Sequence, residues 1–237
     1  KELDASGRVV MPGFIDSHTH LLFAGTREKE FEMRLQGASY QEIAEKGGGI
    51  KSTVEKTRRA SKEELVAVGK RNLDSMLSLG TTTVEAKTGY GLSTRDEIKM
   101  LEALGELGRE HPLEVVPTFL GAHEIPPEYA GKTEDYVRLV VEEMIPAVAE
   151  KKLALFCDVF CEKGVFSLEQ SRRILEAGKR YGMLPKLHAD ELSPLGGAEL
   201  AAEIGAVSAD HLLFISEKGM EAMAEKGAYY VPTLLVQ

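Results

Sequence analysis

Short apolar runs alternate with amphipathic, helix-like stretches along almost the whole chain. The apolar runs show little polar alternation, which is typical of strands in a parallel sheet that helices cover on both faces. Seven such units in series predict a (β/α)₈ barrel from which one unit is missing. We predict the strands at Gly13–His18, Thr81–Ala86, Leu113–Leu120, Leu153–Phe160, Leu184–Ala189, Ala206–His211 and Ala228–Leu234.

The alternative architecture is an open, doubly wound sheet. Nucleotide-binding sheets of that kind carry a Gly-rich phosphate loop after an early strand. This sequence has no G-x-G-x-x-G motif in that place. The Gly47–Gly49 triplet follows a helix-like stretch, so we interpret it as a loop without a nucleotide role. The barrel is therefore favoured.

Helix-start signals stand between the predicted strands. Thr133 is expected to cap one helix, and Gly182 to follow the end of another. About sixty residues separate His20 from the second strand, more than one crossover helix needs, so we expect an excursion over the barrel mouth. Capping-box spacing occurs in Ser61-Lys-Glu-Glu64, Thr94-Arg-Asp-Glu97 and Ser167-Leu-Glu-Gln170.

The composition is typical of a globular protein and argues against several partners. The 237 residues include 29 Lys and Arg against 38 Asp and Glu, and the net charge of −9 argues against nucleic acid as the main partner. No apolar stretch approaches the roughly 18–20 residues of a membrane-spanning helix, so we expect no membrane association. Cys157 and Cys161 lie in one strand-like run, too far apart for a disulfide, and free thiols favour a cytoplasmic location.

Histidines stand where predicted strands end. His18 and His20 are two residues apart, so an extended strand aims both imidazoles to the same side. Such a pair suits a metal ion such as Zn²⁺. His123, His188 and His211 end the third, fifth and sixth predicted strands. Because barrel active sites lie at the carboxyl ends of the strands, we expect these side chains to converge there.

Longer motifs around these histidines carry a family resemblance. The segment Pro12–His20 resembles the start of the metal site in the amidohydrolase superfamily, where an H-x-H motif ends the first barrel strand. Within that superfamily the chain resembles the imidazolonepropionase family of histidine degradation, over essentially its whole length. The runs that carry this second resemblance are His18–Arg27, Glu85–Leu92, Phe119–Glu124 and Leu187–Glu191.

The resemblance implies one bound metal ion, zinc or iron, with His18, His20 and His188 as ligands. In the family the fourth protein ligand is an Asp on strand 8, and this sequence stops at Gln237, just past the seventh predicted strand. Lys1–Met11 looks like the last strand of the N-terminal half of the family's small β-sandwich domain, and residues 12–237 look like strands 1 to 7 of its barrel. We therefore expect a fragment that lacks strand 8 and most of the small domain.

The resemblance implies hydrolysis of a cyclic amide, which needs acid–base chemistry near the metal. A carboxyl group three residues after a metal-binding histidine can reach both the attacking water and the leaving nitrogen, and Glu191 has this spacing. We expect Glu191 to carry the proton, and His211 to orient or deprotonate the water or to stabilise the carbonyl oxygen. The resemblance implies that Arg27, Tyr90 and His123 hold the substrate together with Glu191. The Arg27 guanidinium suits a carboxylate.

Other polar residues near strand ends are expected to support the site or the fold. Asp16 and Asp190 are interpreted as acceptors for neighbouring histidines, with a strand cap as the alternative for Asp16. Asp210 stays open between orienting a neighbour and having no role in the site. Lys87 and Lys163 are interpreted as structural or solvated, because the resemblance is to a site with one metal.

Three functions are compatible with these residues. The resemblance implies hydrolysis of 4-imidazolone-5-propanoate, a small anionic heterocycle, to N-formimidoyl-L-glutamate in a homodimeric enzyme. A related metal-dependent deaminase of a neutral ring, guanine or cytosine, would show much the same metal pattern, but its substrate offers Arg27 and Tyr90 no carboxylate. A catalytically inactive barrel is supported only by the absence of the eighth strand from the sequence.

Overall fold

The computed structural model describes residues 2–37 and 48–233, and one parallel sheet is its central element. The strands follow one another in chain order, and each pairs in parallel with the next. All seven predicted strands and the barrel class are confirmed. The strands are β1 (Phe14–Thr19), β2 (Thr81–Lys87), β3 (Glu114–Ala122), β4 (Phe156–Cys161), β5 (Leu184–Ala189), β6 (Ser208–His211) and β7 (Tyr229–Val231).

Helices connect the strands on the outside of the sheet. Buried Leu101 and Leu104 of one helix and Ile174 of another share an apolar core with Val84 of β2. The helices of the described residues are α1 (Glu28–Leu35), α2 (Ile50–Arg59), α3 (Lys62–Ser78), α4 (Thr94–Glu110), α5 (Thr133–Leu139), α6 (Ile145–Glu150), α7 (Leu168–Arg180), α8 (Gly197–Ile204) and α9 (Glu217–Lys226). A π-helical turn, Val140–Met144, joins α5 to α6.

The sheet curls until its first strand faces its later ones. His18 Nδ1 on β1 lies 2.6 Å from Asp210 Oδ2 on β6. Lys186 Nζ on β5 donates to the Ser17 carbonyl at 3.3 Å. An open sheet would keep its first strand far from its fifth and sixth strands, whereas these contacts join them across the interior. The open-sheet alternative is therefore wrong. The carboxyl ends of the strands consequently surround one space.

Two of the three predicted capping boxes are confirmed, at the starts of α3 and α7. The third is wrong by one residue, since Ser93 caps α4 and accepts from the Asp96 N–H. The side chain of Glu97 is used elsewhere, as described below. The cap predicted at Thr133 is also wrong, because Thr133 is the first helical residue and Lys132 precedes it without a side-chain cap. Gly182 follows the end of α7 at φ 85°, as predicted.

The segments before β1 and β2 differ from the expectations in part. Residues 2–11 form a turn and exposed chain outside any strand, so their assignment to a small domain stays a prediction. The long segment before β2 contains α1, α2 and α3, while residues 38–47 lie outside the described residues. Gly49, at φ 77°, precedes α2 and donates its N–H to Glu30. No helix in residues 2–37 and 48–233 is long and apolar enough to cross a membrane.

Candidate active site

Three histidines from two strands meet at the carboxyl end of the barrel. His18 lies on β1, His20 directly after it, and His188 on β5. One nitrogen of each imidazole lies within 4.8 Å of the others, a spacing that fits a single metal ion. The structure therefore brings His18 and His20 of the H-x-H motif together with His188 of the fifth strand, as predicted.

Neighbouring carboxylates orient two of these imidazoles. His18 Nδ1 pairs with Asp210 Oδ2 at 2.6 Å, and His188 Nδ1 pairs with Asp158 Oδ1 at 3.1 Å. A ligating histidine usually donates its other ring N–H to a carboxylate in this way. Among the described residues, buried His188 Nε2 and buried His20 Nδ1 have no hydrogen-bond partner. Unpartnered buried nitrogens beside a third imidazole fit a bound metal ion.

The protonation of the cluster suits metal binding as well. Burial, with the neighbouring imidazoles, lowers the pKa of His20 well below its ordinary value. Burial lowers the pKa of His188 to about 3, against the opposing effect of Asp158. Neutral imidazole is the form that binds a metal, so both side chains are ready to do so at neutral pH.

A buried ionic cluster, which we call the ionic floor, lies beneath the histidines. Lys87 Nζ lies 2.9 Å from Glu85, 2.7 Å from Asp158 and 3.1 Å from Asp210. Lys186 Nζ adds a contact of 2.9 Å to Glu85. Burial opposes the charge on Lys87, but the three carboxylates outweigh it and raise the pKa of Lys87. One lysine thus holds both carboxylates that orient His18 and His188.

Both aspartates stay ionised because of these contacts. Burial would raise the pKa of Asp158, but His188 and Lys87 lower it well below its ordinary value. Burial likewise opposes the charge of Asp210, and Lys87 and the hydrogen bond from His18 lower its pKa on balance. An ionised carboxylate strengthens the hydrogen bond to each imidazole.

Glu191 and His211 form a second pair at the site. His211 Nε2 lies 3.4 Å from Glu191 Oε2, and His211 Nδ1 is bonded to the Thr233 hydroxyl. Burial lowers the pKa of His211 to about 4. Burial and the charge of Glu162 raise the pKa of Glu191 to about 7. A carboxyl group with that pKa can both take and give a proton near neutral pH.

Glu162, at the end of β4, anchors the loop that carries Glu191. Its carboxylate accepts from the Leu192 N–H at 2.9 Å and from the Ser193 hydroxyl. The side chain is 2% exposed. These hydrogen bonds from the end of β4 therefore fix the backbone that follows Glu191.

His123 and Tyr90 close the other side of the cluster. The His123 ring stacks on His20 with centroids 4.8 Å apart, and the Tyr90 ring lies 5.4 Å from His20. His123 Nδ1 lies 3.0 Å from the Gly89 carbonyl oxygen. Donation from Nδ1 to that oxygen leaves Nε2 as an acceptor. Burial lowers the pKa of His123 to about 4.

Arg27 lies at the edge of this group rather than in the cavity. Its Nε donates to the Thr53 hydroxyl of α2 at 2.9 Å. Its charge acts on Tyr90 and His123, since it opposes the burial that raises the pKa of Tyr90 and adds to the lowering at His123. The cavity itself has a volume of about 590 Å³ and is lined by His18, His20, His123, His188, Glu191 and His211, among others.

The supporting roles predicted for the aspartates need correction. Among the described residues, Asp190 makes no hydrogen bond to His188; its carboxylate accepts four backbone N–H groups, from Leu195 to Ala198, at the start of α8. Asp16 accepts from the backbone N–H of His18 at 3.3 Å, a local contact within β1. Asp210 orients His18, which settles the open alternative. Lys87 is structural, as predicted.

Asp158 is the site residue that sequence reasoning missed. It stands in the apolar strand Phe156–Cys161 and is fully buried. A lone acidic residue within an apolar strand was the available signal, because a buried carboxylate needs a charged or hydrogen-bonding partner.

Comparison with known proteins agrees with this geometry. Residues 1–70 match the profile of the amidohydrolase family. A 5-methylcytosine deaminase from Klebsiella pneumoniae, liganded with phosphonocytosine, superposes with a TM-score of 0.70 at 18% identity, covering 96% of this chain and 55% of that one. At this identity the likeness shows the fold alone. The match to the amidohydrolase family over residues 1–70 agrees with the cluster of His18, His20 and His188, which could hold a metal ion.

Curated relatives of similar sequence point to one kind of amidohydrolase. The chain is 59% identical over 229 residues to an imidazolonepropionase of Brevibacillus brevis, covering 97% of this chain and 54% of the relative. It is 60% identical over 230 residues to an imidazolonepropionase of Symbiobacterium thermophilum, again with 97% and 54% covered. The chain thus spans about half the length of the curated relatives it matches.

Proposed function

We propose that the protein hydrolyses the cyclic amide of 4-imidazolone-5-propanoate to N-formimidoyl-L-glutamate. The observation that supports this most directly is the convergence of three imidazoles with a carboxyl group poised for proton transfer. The identity of 59–60% to imidazolonepropionases over nearly the whole chain supports the choice of substrate.

His18, His20 and His188 would hold the metal ion, with Asp210 and Asp158 fixing two of the three rings. When bound, a divalent metal supplies a nucleophilic water near neutral pH and polarises a carbonyl group. The sequence resemblance suggests zinc or iron, and imidazole ligands suit both.

Glu191 is assigned the proton transfer. Its carboxylate takes one proton from the attacking water and gives it to the ring nitrogen as the carbonyl C–N bond breaks. The new carboxylic acid then loses the second water proton to solvent, which leaves a carboxylate and an N-formimidoyl group. A pKa of about 7 suits both steps. His211, within 3.4 Å of Glu191, orients that carboxylate or donates to the developing oxyanion.

Arg27, Tyr90 and His123 are assigned to the substrate. An arginine beside the cavity provides a charge-assisted contact for the propionate group. Neutral His123 and the Tyr90 hydroxyl would provide hydrogen bonds beside His20. A small anionic heterocycle is therefore the proposed partner, and a cytoplasmic homodimer stays a prediction from the sequence.

The test is turnover by the protein expressed from its complete reading frame and loaded with zinc or with iron. We expect loss of 4-imidazolone-5-propanoate and appearance of N-formimidoyl-L-glutamate, identified by mass, and abolition of both by a chelator. Deamination of cytosine or guanine in place of that reaction would assign the site to a deaminase. Metal binding without turnover of any of the three compounds would favour an inactive barrel.

A further inference from the structure

The segment Thr88–Leu92 carries Tyr90 to the histidine cluster through an irregular backbone. Gly89 has a φ of 105°, and Leu92, which is not a glycine, has a φ of 48°. The segment lies between β2 and α4, outside any strand or helix. Its backbone polar groups therefore need partners from elsewhere in the molecule.

Glu97 of α4 provides the acceptors. Its Oε1 accepts from the Gly91 N–H at 2.9 Å and the Leu92 N–H at 2.8 Å, and its Oε2 accepts from the Gly89 N–H at 3.2 Å. The side chain is 0% exposed. Burying a carboxylate costs free energy unless hydrogen bonds compensate. Here the compensating donors all belong to the segment that carries Tyr90.

Arg58 of α2 provides the donors from the opposite side. Its Nε donates to the Gly91 carbonyl at 2.6 Å, and its Nη2 donates to the Leu92 carbonyl at 2.9 Å. Nη2 also lies 2.8 Å from Glu128 Oε1, which holds the guanidinium in place. Glu97 and Arg58 thus bind the N–H and C=O groups of the same short segment.

The segment has little room to move without disturbing the site. A Cβ at Gly89 would lie 2.9 Å from His123 Nδ1, and one at Gly91 would lie 2.6 Å from Glu97 N. The Gly89 carbonyl also pairs with His123 Nδ1 at 3.0 Å. A shift of this backbone would therefore displace Tyr90 and remove the contact that orients His123.

We propose that Glu97 and Arg58 are positioning residues that fix Tyr90 and His123 for the substrate. The inference rests on the proposed function, because it takes Tyr90 and His123 as substrate contacts. Neither positioning residue reaches the histidine cluster itself, so each acts through the segment. Their loss should weaken substrate binding while leaving metal binding intact.

The test compares Glu97→Gln and Arg58→Gln with matched controls in the metal-loaded protein from the complete reading frame. Glutamine at 97 places an amide N–H against a backbone N–H, and glutamine at 58 removes the forked donors. We expect KM for 4-imidazolone-5-propanoate to rise about 10-fold, with kcat within about 3-fold and metal content unchanged. The controls are Arg59→Gln, next to Arg58 in an exposed pair with Glu55, and Glu102→Gln on α4, which pairs with Lys151. Both should keep the KM of the unmodified protein.

A double-mutant cycle with Tyr90→Phe separates positioning from general destabilisation. If Glu97 acts through Tyr90, the double variant should be no more than about 3-fold worse in kcat/KM than the worse single variant. Full additivity of the two losses, or equal losses of kcat and metal, would overturn the inference. Should Glu97→Gln fail to fold, the same cycle with Arg58→Gln decides, and Arg58→Lys should restore part of the KM. An unmodified protein that does not hydrolyse the substrate would overturn the proposed function and this inference together; a hydrolysing protein with an additive cycle would overturn this inference alone.

Discussion

The two halves of the site are held by different means. The histidine cluster stands at strand ends over the ionic floor, where Asp210 and Asp158 from other strands orient the rings of His18 and His188. The rim, by which we mean Arg27, Tyr90 and Glu191, stands on loops that contacts from neighbouring elements fix. Glu97 and Arg58 hold the segment of Tyr90, and Glu162 holds the loop of Glu191. We therefore expect the histidine cluster and the ionic floor to govern metal binding, and the rim to govern which substrate reacts.

The largest effect is expected at the histidine cluster. His188→Ala removes one of three converging imidazoles, so we expect loss of bound metal and a fall in kcat/KM of at least about 1,000-fold, about 4 kcal/mol of transition-state stabilisation. Metal analysis and steady-state kinetics measure both. His111→Gln, a histidine that pairs with Asp74 outside the site, should leave both values in place. Retention of metal and activity by His188→Ala would remove the cluster from the mechanism.

The ionic floor can be tested through stability. Lys87→Met leaves buried Asp158 and Asp210 without their shared cation, and breaking a buried pair costs about 3–5 kcal/mol of unfolding free energy. Urea unfolding followed by circular dichroism measures the loss. Lys151→Met, which removes an exposed partner of Glu102, is the matched control and should shift the midpoint little. An unchanged midpoint for Lys87→Met would show that the floor does not depend on that lysine.

A substitution in the rim should change substrate binding and leave the metal content unchanged. Arg27→Ala removes the charge assigned to the propionate, so KM should rise by about 10–100-fold, as expected for hydrogen bonds to a charged group. The bound metal and the unfolding midpoint should stay as they are. A variant whose KM is unchanged would place the carboxylate contact elsewhere.

The smallest effect concerns the pH dependence of the rim. Glu162 contributes to the raised pKa of Glu191, which lies at about 7. Glu162→Gln removes a neighbouring negative charge, which makes ionisation of Glu191 easier and lowers its pKa. The limb of the kcat/KM profile that reports Glu191 should therefore move to lower pH, by less than about one unit. A limb that stays in place or moves to higher pH would separate Glu191 from the observed ionisation.

The histidine cluster with its ionic floor and the loops of the rim also differed in how far the sequence predicted them. The convergence of His18, His20 and His188 was predicted from the sequence, because residues two apart in an extended chain share a side and parallel strands end together. Asp210 was left open and Asp158 was missed, since the partner of a buried carboxylate depends on which strand curls against which. The N–H partners of Glu97 could not be predicted either. Its spacing from Thr94 suggested a capping box, whereas the fold turns its carboxylate to the loop of Tyr90.

The central hypothesis is that the rim selects a substrate carboxylate, while the histidine cluster above the ionic floor holds the metal ion. Its most direct test compares kcat/KM for 4-imidazolone-5-propanoate with that for the neutral propanamide analogue, in the unmodified protein and in Arg27→Ala. We predict a preference for the carboxylate of at least about 30-fold, about 2 kcal/mol, which falls close to one in the variant. Equal turnover of acid and amide by the unmodified protein, or a preference that survives Arg27→Ala, would contradict the claim.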